Sequence, residues 1–148
     1  MGLGTMQKAK THPVARLRRQ SPERRRLLLS ASTLLTVASA AVAALPFRKA
    51  IRFGSVPIGR ETPLILDDLV WAIEAAARHL PWRTLCIEQG LAGQRLLRRR
   101  GVDASLHYGI RHHPESDKLE AHVWVTVNGR PIIGGEEVPG FAEVARYP

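Results

Sequence analysis

The chain has a single cysteine, Cys86, among 148 residues. One thiol closes no intramolecular disulfide, and no set of Cys and His has zinc-finger spacing, so a disulfide scaffold and a structural zinc site are both excluded. No cofactor is expected. Acids are scarce at the front: residues 1–26 hold Lys8, Lys10, Arg16, Arg18, Arg19, Arg24, Arg25 and Arg26 against Glu23 alone, and supply most of the formal net charge of +9. A basic block confined to one end reads as a solvated flexible arm. A nucleic-acid domain spreads its cations over a folded face, usually with aromatics or a recognisable module, so nucleic acid is not an expected partner. No internal repeat is visible, and the length suits one domain.

What is present falls into three parts: a basic arm over residues 1–26, an apolar helix over 27–46 and a domain over 47–148. Ser21-Pro22-Glu23 is a helix start, with a capping oxygen, a proline suited to the first turn and an early acid. Leu27 to Leu45 then runs for 19 residues without a charge. A membrane span needs about 20 apolar residues, but Ser30, Ser32, Thr33, Thr36 and Ser39 weaken this one. Ala38-Ser39-Ala40 would suit a signal-peptide cleavage site. The third reading, a helix packed on the domain or lying on a membrane surface, is the one favoured; the expected location is the cytoplasm, with membrane association through Leu27–Leu45 as the variant.

After a connector rich in Gly, Pro and Arg, Leu66, Leu69, Val70, Ile73, Ala77 and Leu80 recur at helical spacing over 64–80. A second helix is predicted from Thr84 to Arg100, closed by Gly101. Beyond Asp103 the period becomes two, giving strands at Ala104–Arg111, Ala121–Val127 and Arg130–Ile133. Asn128-Gly129 is a hairpin signal, because both positions of the favoured two-residue turn need positive φ. Helix, helix, then antiparallel sheet is an α+β order.

Cys86 falls in the first turn of the second helix, with Thr84 as candidate N-cap. Unpaired amides and the positive dipole end favour a thiolate there and offer donors to an oxyanion. Of the six histidines, His122 is the candidate base, since it precedes Val-Trp-Val on the best-defined strand. A sheet packed on the cysteine-bearing helix could bring it within proton-transfer reach. Trp82 and Trp124 read as core or as a peptide-binding wall, His107 and Tyr108 as sheet packing or cleft lining. Arg98 to Arg100 read as a solvated helix end or as a site for an acidic leader or partner.

The ordered string Pro81-Trp82-Arg83-Thr84-Leu85-Cys86, Leu96-Leu97-Arg98-Arg99-Arg100-Gly101-Val102, Leu106-His107-Tyr108-Gly109-Ile110-Arg111 and Glu120-Ala121-His122-Val123-Trp124-Val125 resembles the transglutaminase-like leader peptidases of lasso-peptide biosynthesis, over about residues 47–148. The resemblance implies a transglutaminase-like (papain-like) core of helices on an antiparallel sheet. It also implies a Cys-His-Asp triad, onto which Cys86 and His122 map. The third member departs from the pattern: no Asp lies beyond Asp117, and the matching stretch reads Ile132-Ile133-Gly134-Gly135-Glu136-Glu137. Glu136 is taken as the third residue, with Glu137 open beside it and Asn128 behind both.

The partners implied are a precursor leader peptide, a separate leader-recognition protein and a lasso cyclase, since residues 1–60 show no alternating strands of a leader-binding domain. Two rival functions stand: a transglutaminase or amidase using the same Cys-His pair, and a membrane-associated adaptor in which Cys86 is inert.

Overall fold

The computed structural model describes residues 20–63 and 66–148. The arm expected over 1–26 lies outside the described residues as far as residue 19, as do Leu64 and Ile65. Helix α1 (Pro22–Ala44) begins where its residues dictate: the Ser21 hydroxyl accepts the Arg24 N–H, and Pro22 fills the first position. Leu45 is extended and Pro46 follows, which stops the helix. Leu27, Ala31, Leu34, Leu35 and Ala38 form one buried stripe at helical spacing, while Leu29 and Val37 face out. Thr33 and Thr36 donate their hydroxyls to the carbonyls of Leu29 and Ser32 at 2.9 and 2.8 Å, so they sit within an apolar helix without unpaired groups.

A short helix, α2 (Phe47–Ala50), and a 3₁₀ turn (Ile51–Phe53) lead into extended chain. Helix α3 (Leu66–His79) buries Leu69, Ala72, Ile73, Ala75 and Ala76. Helix α4 (Cys86–Arg99) buries Leu91, Ala92, Leu96 and Leu97. Asp68 of α3 pairs with Arg24 of α1 at 2.8 Å, and that guanidinium lies 4.4 Å over the Trp71 ring, which fixes α1 against α3. The extended connector is strapped to the far end of α4: Gly59 N–H donates to Arg98 O, Arg98 Nε to Val56 O, and Arg95 Nη1 to Phe53 O at 2.6 Å. Arg98 also donates to Asp103 and to the Ala104 carbonyl, so it is held inside the fold, not offered to a partner. Burial, then the neighbouring Arg99, lowers the Arg95 guanidinium from its ordinary value.

Strands β1 (Ala104–His112), β2 (Leu119–Val127), β3 (Arg130–Ile133) and β4 (Ala142–Tyr147) form one antiparallel sheet in the order β3-β2-β1-β4. Asn128 at φ 50° and Gly129 at φ 76° make the two-residue turn that the sequence signals. Leu106, Val123 and Val125 join the buried cluster shared with α1, α3 and α4. Strand alternation sends His122 and Trp124 to the opposite side from Val123 and Val125. The expected α+β architecture is present. Strand β4 is additional, an edge strand whose residues are exposed or half-buried, so it lacks the apolar alternation that marks a covered strand.

Candidate active site

The N-terminus of α4 differs from expectation in one residue. Leu85, extended at φ −85° and ψ 161°, is the N-cap, which makes Cys86 the first helical residue. Thr84 stands one place earlier, buried, and its hydroxyl accepts from Gln89 Nε2 at 3.0 Å. The Glu88 carboxylate reaches back to the Leu85 N–H at 3.0 Å. Leucine has no oxygen to offer in return, so the first-turn amides of α4 receive no side-chain cap from it, and such amides have no intrahelical partner either. They remain donors for a developing negative charge.

Cys86, half-buried, and His122, 5% exposed, line one cleft of about 1080 Å³. The chain around it brings Arg78 from α3, Arg83 from the α3–α4 connection, Gln89 from α4, and Gly134 to Glu137 from beyond β3. Residues of a helix terminus and of a strand 36 positions further on thus line one cleft. The contact is close because Gly90 puts no side chain between helix and sheet: a Cβ there would lie 2.6 Å from Val123 Cγ1.

The His122 ring is held on several sides. Trp124 stacks on it with centroids 6.1 Å apart and planes 18° apart, and Phe141 lies 5.2 Å away, tilted by 41°. Arg111 sits 4.3 Å over Phe141 and is itself paired with Glu120 at 2.6 Å. The ring hydrogen bond runs from Nε2 to the Gly134 carbonyl at 2.8 Å.

The carboxylate nearest His122 is Glu137, whose Oε2 lies 3.6 Å from Nδ1, with the side chain 71% exposed. Glu136, taken above as the third residue, lines the same cleft, and of the two glutamates it is Glu137 whose carboxylate comes within ion-pair distance of the ring. The cause is local. The β2–β3 register shifts between Val125 and Thr126, Gly134 takes φ 69°, and the chain turns into a 3₁₀ turn over Gly135–Glu137 instead of continuing the ladder. Asn128 stays in its turn, as expected.

Other candidates are placed clearly. Trp124 is 5% exposed, stacked between His122 and His107, whereas Trp82 is 39% exposed and donates its indole N–H to Ser39 of α1 at 3.2 Å. His107 is buried, bonded to Glu143 at 2.9 Å and to Thr126 at 2.8 Å. Neither it nor Tyr108 lines the cleft. Among the described residues no group of His, Cys, Asp and Glu could hold a metal ion. The parts that sequence reasoning missed are Phe141 and the Gly134 carbonyl. A backbone oxygen leaves no residue-type signal, and Phe141 reaches His122 only because β4 returns beside β1.

A thiol at a helix start, sharing a cleft with a strand imidazole, can carry acyl transfer through sulfur. The family model of the transglutaminase-like superfamily matches residues 6–146, and the chain belongs to that superfamily. Its members are typically cysteine peptidases or acyltransferases. Neither the curated proteins nor the solved structures contain a match.

Proposed function

We propose that this protein is a cysteine peptidase that removes the leader from a ribosomally synthesised lasso-peptide precursor, before a separate cyclase closes the macrolactam ring. The observation that supports the chemistry is that Cys86, the first residue of α4, and His122 line one cleft. Membership of the superfamily supports the reaction class, and the ordered motifs around Cys86 and His122 support the substrate. In this reading His122 takes the proton from Cys86 and the thiolate attacks the carbonyl at the leader-core junction. First-turn amides of α4 hold the oxyanion, and His122 returns the proton to the departing amine. Water, deprotonated by the same ring, then hydrolyses the thioester and the proton goes back to sulfur.

Leader recognition by a separate protein is part of the proposal. The reaction would take place in the cytoplasm, alongside precursor and cyclase. Helix α1 is long and apolar enough to cross a membrane, yet its inner stripe is part of the core.

The test is mass spectrometry of a lasso precursor incubated with its leader-recognition protein and this chain. The wild type should release the leader, and Cys86→Ala, shown by circular dichroism to be folded, should release none. Undiminished cleavage by that variant would refute the reading. A product crosslinked to an amine instead of hydrolysed would favour a transglutaminase.

A further inference from the structure

We propose that the group orienting His122 is the main-chain carbonyl of Gly134, with neither glutamate serving as the third member of a triad; this rests on the peptidase reading for its mechanistic meaning. In a nucleophile-imidazole-acid arrangement the acid occupies the ring nitrogen that points away from the nucleophile and so selects the tautomer. Here Nε2 is already taken, by an acceptor at 2.8 Å. A carbonyl accepts and cannot donate, so Nε2 must carry the hydrogen, and in the neutral ring Nδ1 then carries the lone pair. On the peptidase reading, Nδ1 is the nitrogen left free to remove the proton from the Cys86 thiol and later pass it to the departing amine.

Glu137 approaches that same Nδ1, at 3.6 Å and with its side chain 71% exposed. It approaches the nitrogen left bare by the Gly134 bond, not the one that carries the hydrogen, so it does not hold the orienting position. An exposed pair of that kind is worth little.

The surroundings fit a carbonyl in the orienting role. Gly134 adopts φ 69°, a conformation that costs other L residues, and a Cβ on it would lie 2.8 Å from Val123 O and 3.3 Å from His122 Nε2. The absent side chain lets the main chain come close enough to bond the ring. Trp124 and Phe141 fix the ring plane, leaving the carbonyl only the tautomer to set.

The experiment is ¹⁵N NMR of the labelled chain carrying Cys86→Ala, at about pH 8.5, roughly two units above the usual imidazole value. His122 is assigned by loss of its signals in His122→Gln. The expected result is a bare Nδ1 and a protonated Nε2 whose hydrogen exchanges slowly with solvent, unchanged when Glu136→Gln and Glu137→Gln are added together. A protonated Nδ1, a fast-exchanging Nε2 hydrogen, or a tautomer that changes with the glutamates would overturn the proposal.

A second arm uses iodoacetamide on chains that retain Cys86. The double glutamine variant should alkylate within about fivefold of the parent, as for loss of an exposed pair. A larger drop would equally overturn it. If the parent chain itself proves inert to iodoacetamide, the peptidase reading fails, while the tautomer is still decided by the NMR arm.

Discussion

Gly90 and Gly93 both face neighbours that a methyl group would strike, but the two neighbours differ in freedom. At Gly90 the obstacle is Val123 Cγ1 at 2.6 Å, with Leu106 Cδ1 at 3.3 Å, both in the core next to the cleft. A β-branched side chain has almost no room to turn there. Overpacking of this kind costs about 1–3 kcal/mol, against the roughly 1 kcal/mol that Gly→Ala contributes inside a helix. Gly90→Ala should therefore lower the urea midpoint by a net loss of about 1 kcal/mol. Gly93→Ala meets the Cδ1 tip of Ile133, which can rotate away, so its midpoint should equal or exceed the wild type's. Equal losses at both positions would contradict this. The two residues proposed to carry the chemistry can be singled out at this scale, since Cys86 is the lone thiol and His122 sits on a clear strand. The cap was read one residue early because Thr84 has the right oxygen, while the backbone becomes helical only after Leu85.

Among the elements, α1 shows most plainly what periodicity can and cannot deliver. Its start was readable from Ser21 and Pro22, but its amphipathic character was not, because the outward positions Leu29, Thr33, Val37 and Ala40 are as uncharged as the inward ones. Only packing separates the faces. If α1 belongs to the same folding unit as residues 47–148, then Leu35→Ala, fully buried, should cost about 2–5 kcal/mol in urea unfolding without detergent. Leu29→Ala, 68% exposed, should stay within about 0.5 kcal/mol of wild type. Two silent substitutions would mean that α1 leaves the domain. Strand β3 was legible to its ends because the Asn128-Gly129 turn fixes it. Strand β4 was not, because its partner β1 lies more than 30 positions earlier and no local pattern announces that pairing.

For the whole molecule, the change from a 3.6 to a 2 residue period near Asp103 divides helices from sheet, and that division alone conveys the α+β order. It does not reveal that the sheet presents two unlike faces, one in the core with α4 and the other carrying a row of rings. On that second face Trp124 lies between His107 and His122, at 5.4 and 6.1 Å. An indole clasped by two imidazoles is an optical gauge built into the protein. Any change at the cleft histidine should therefore reach that indole: His122→Gln should alter the emission spectrum, measured against the constant background of Trp71 and Trp82, and an identical spectrum would contradict the stacking.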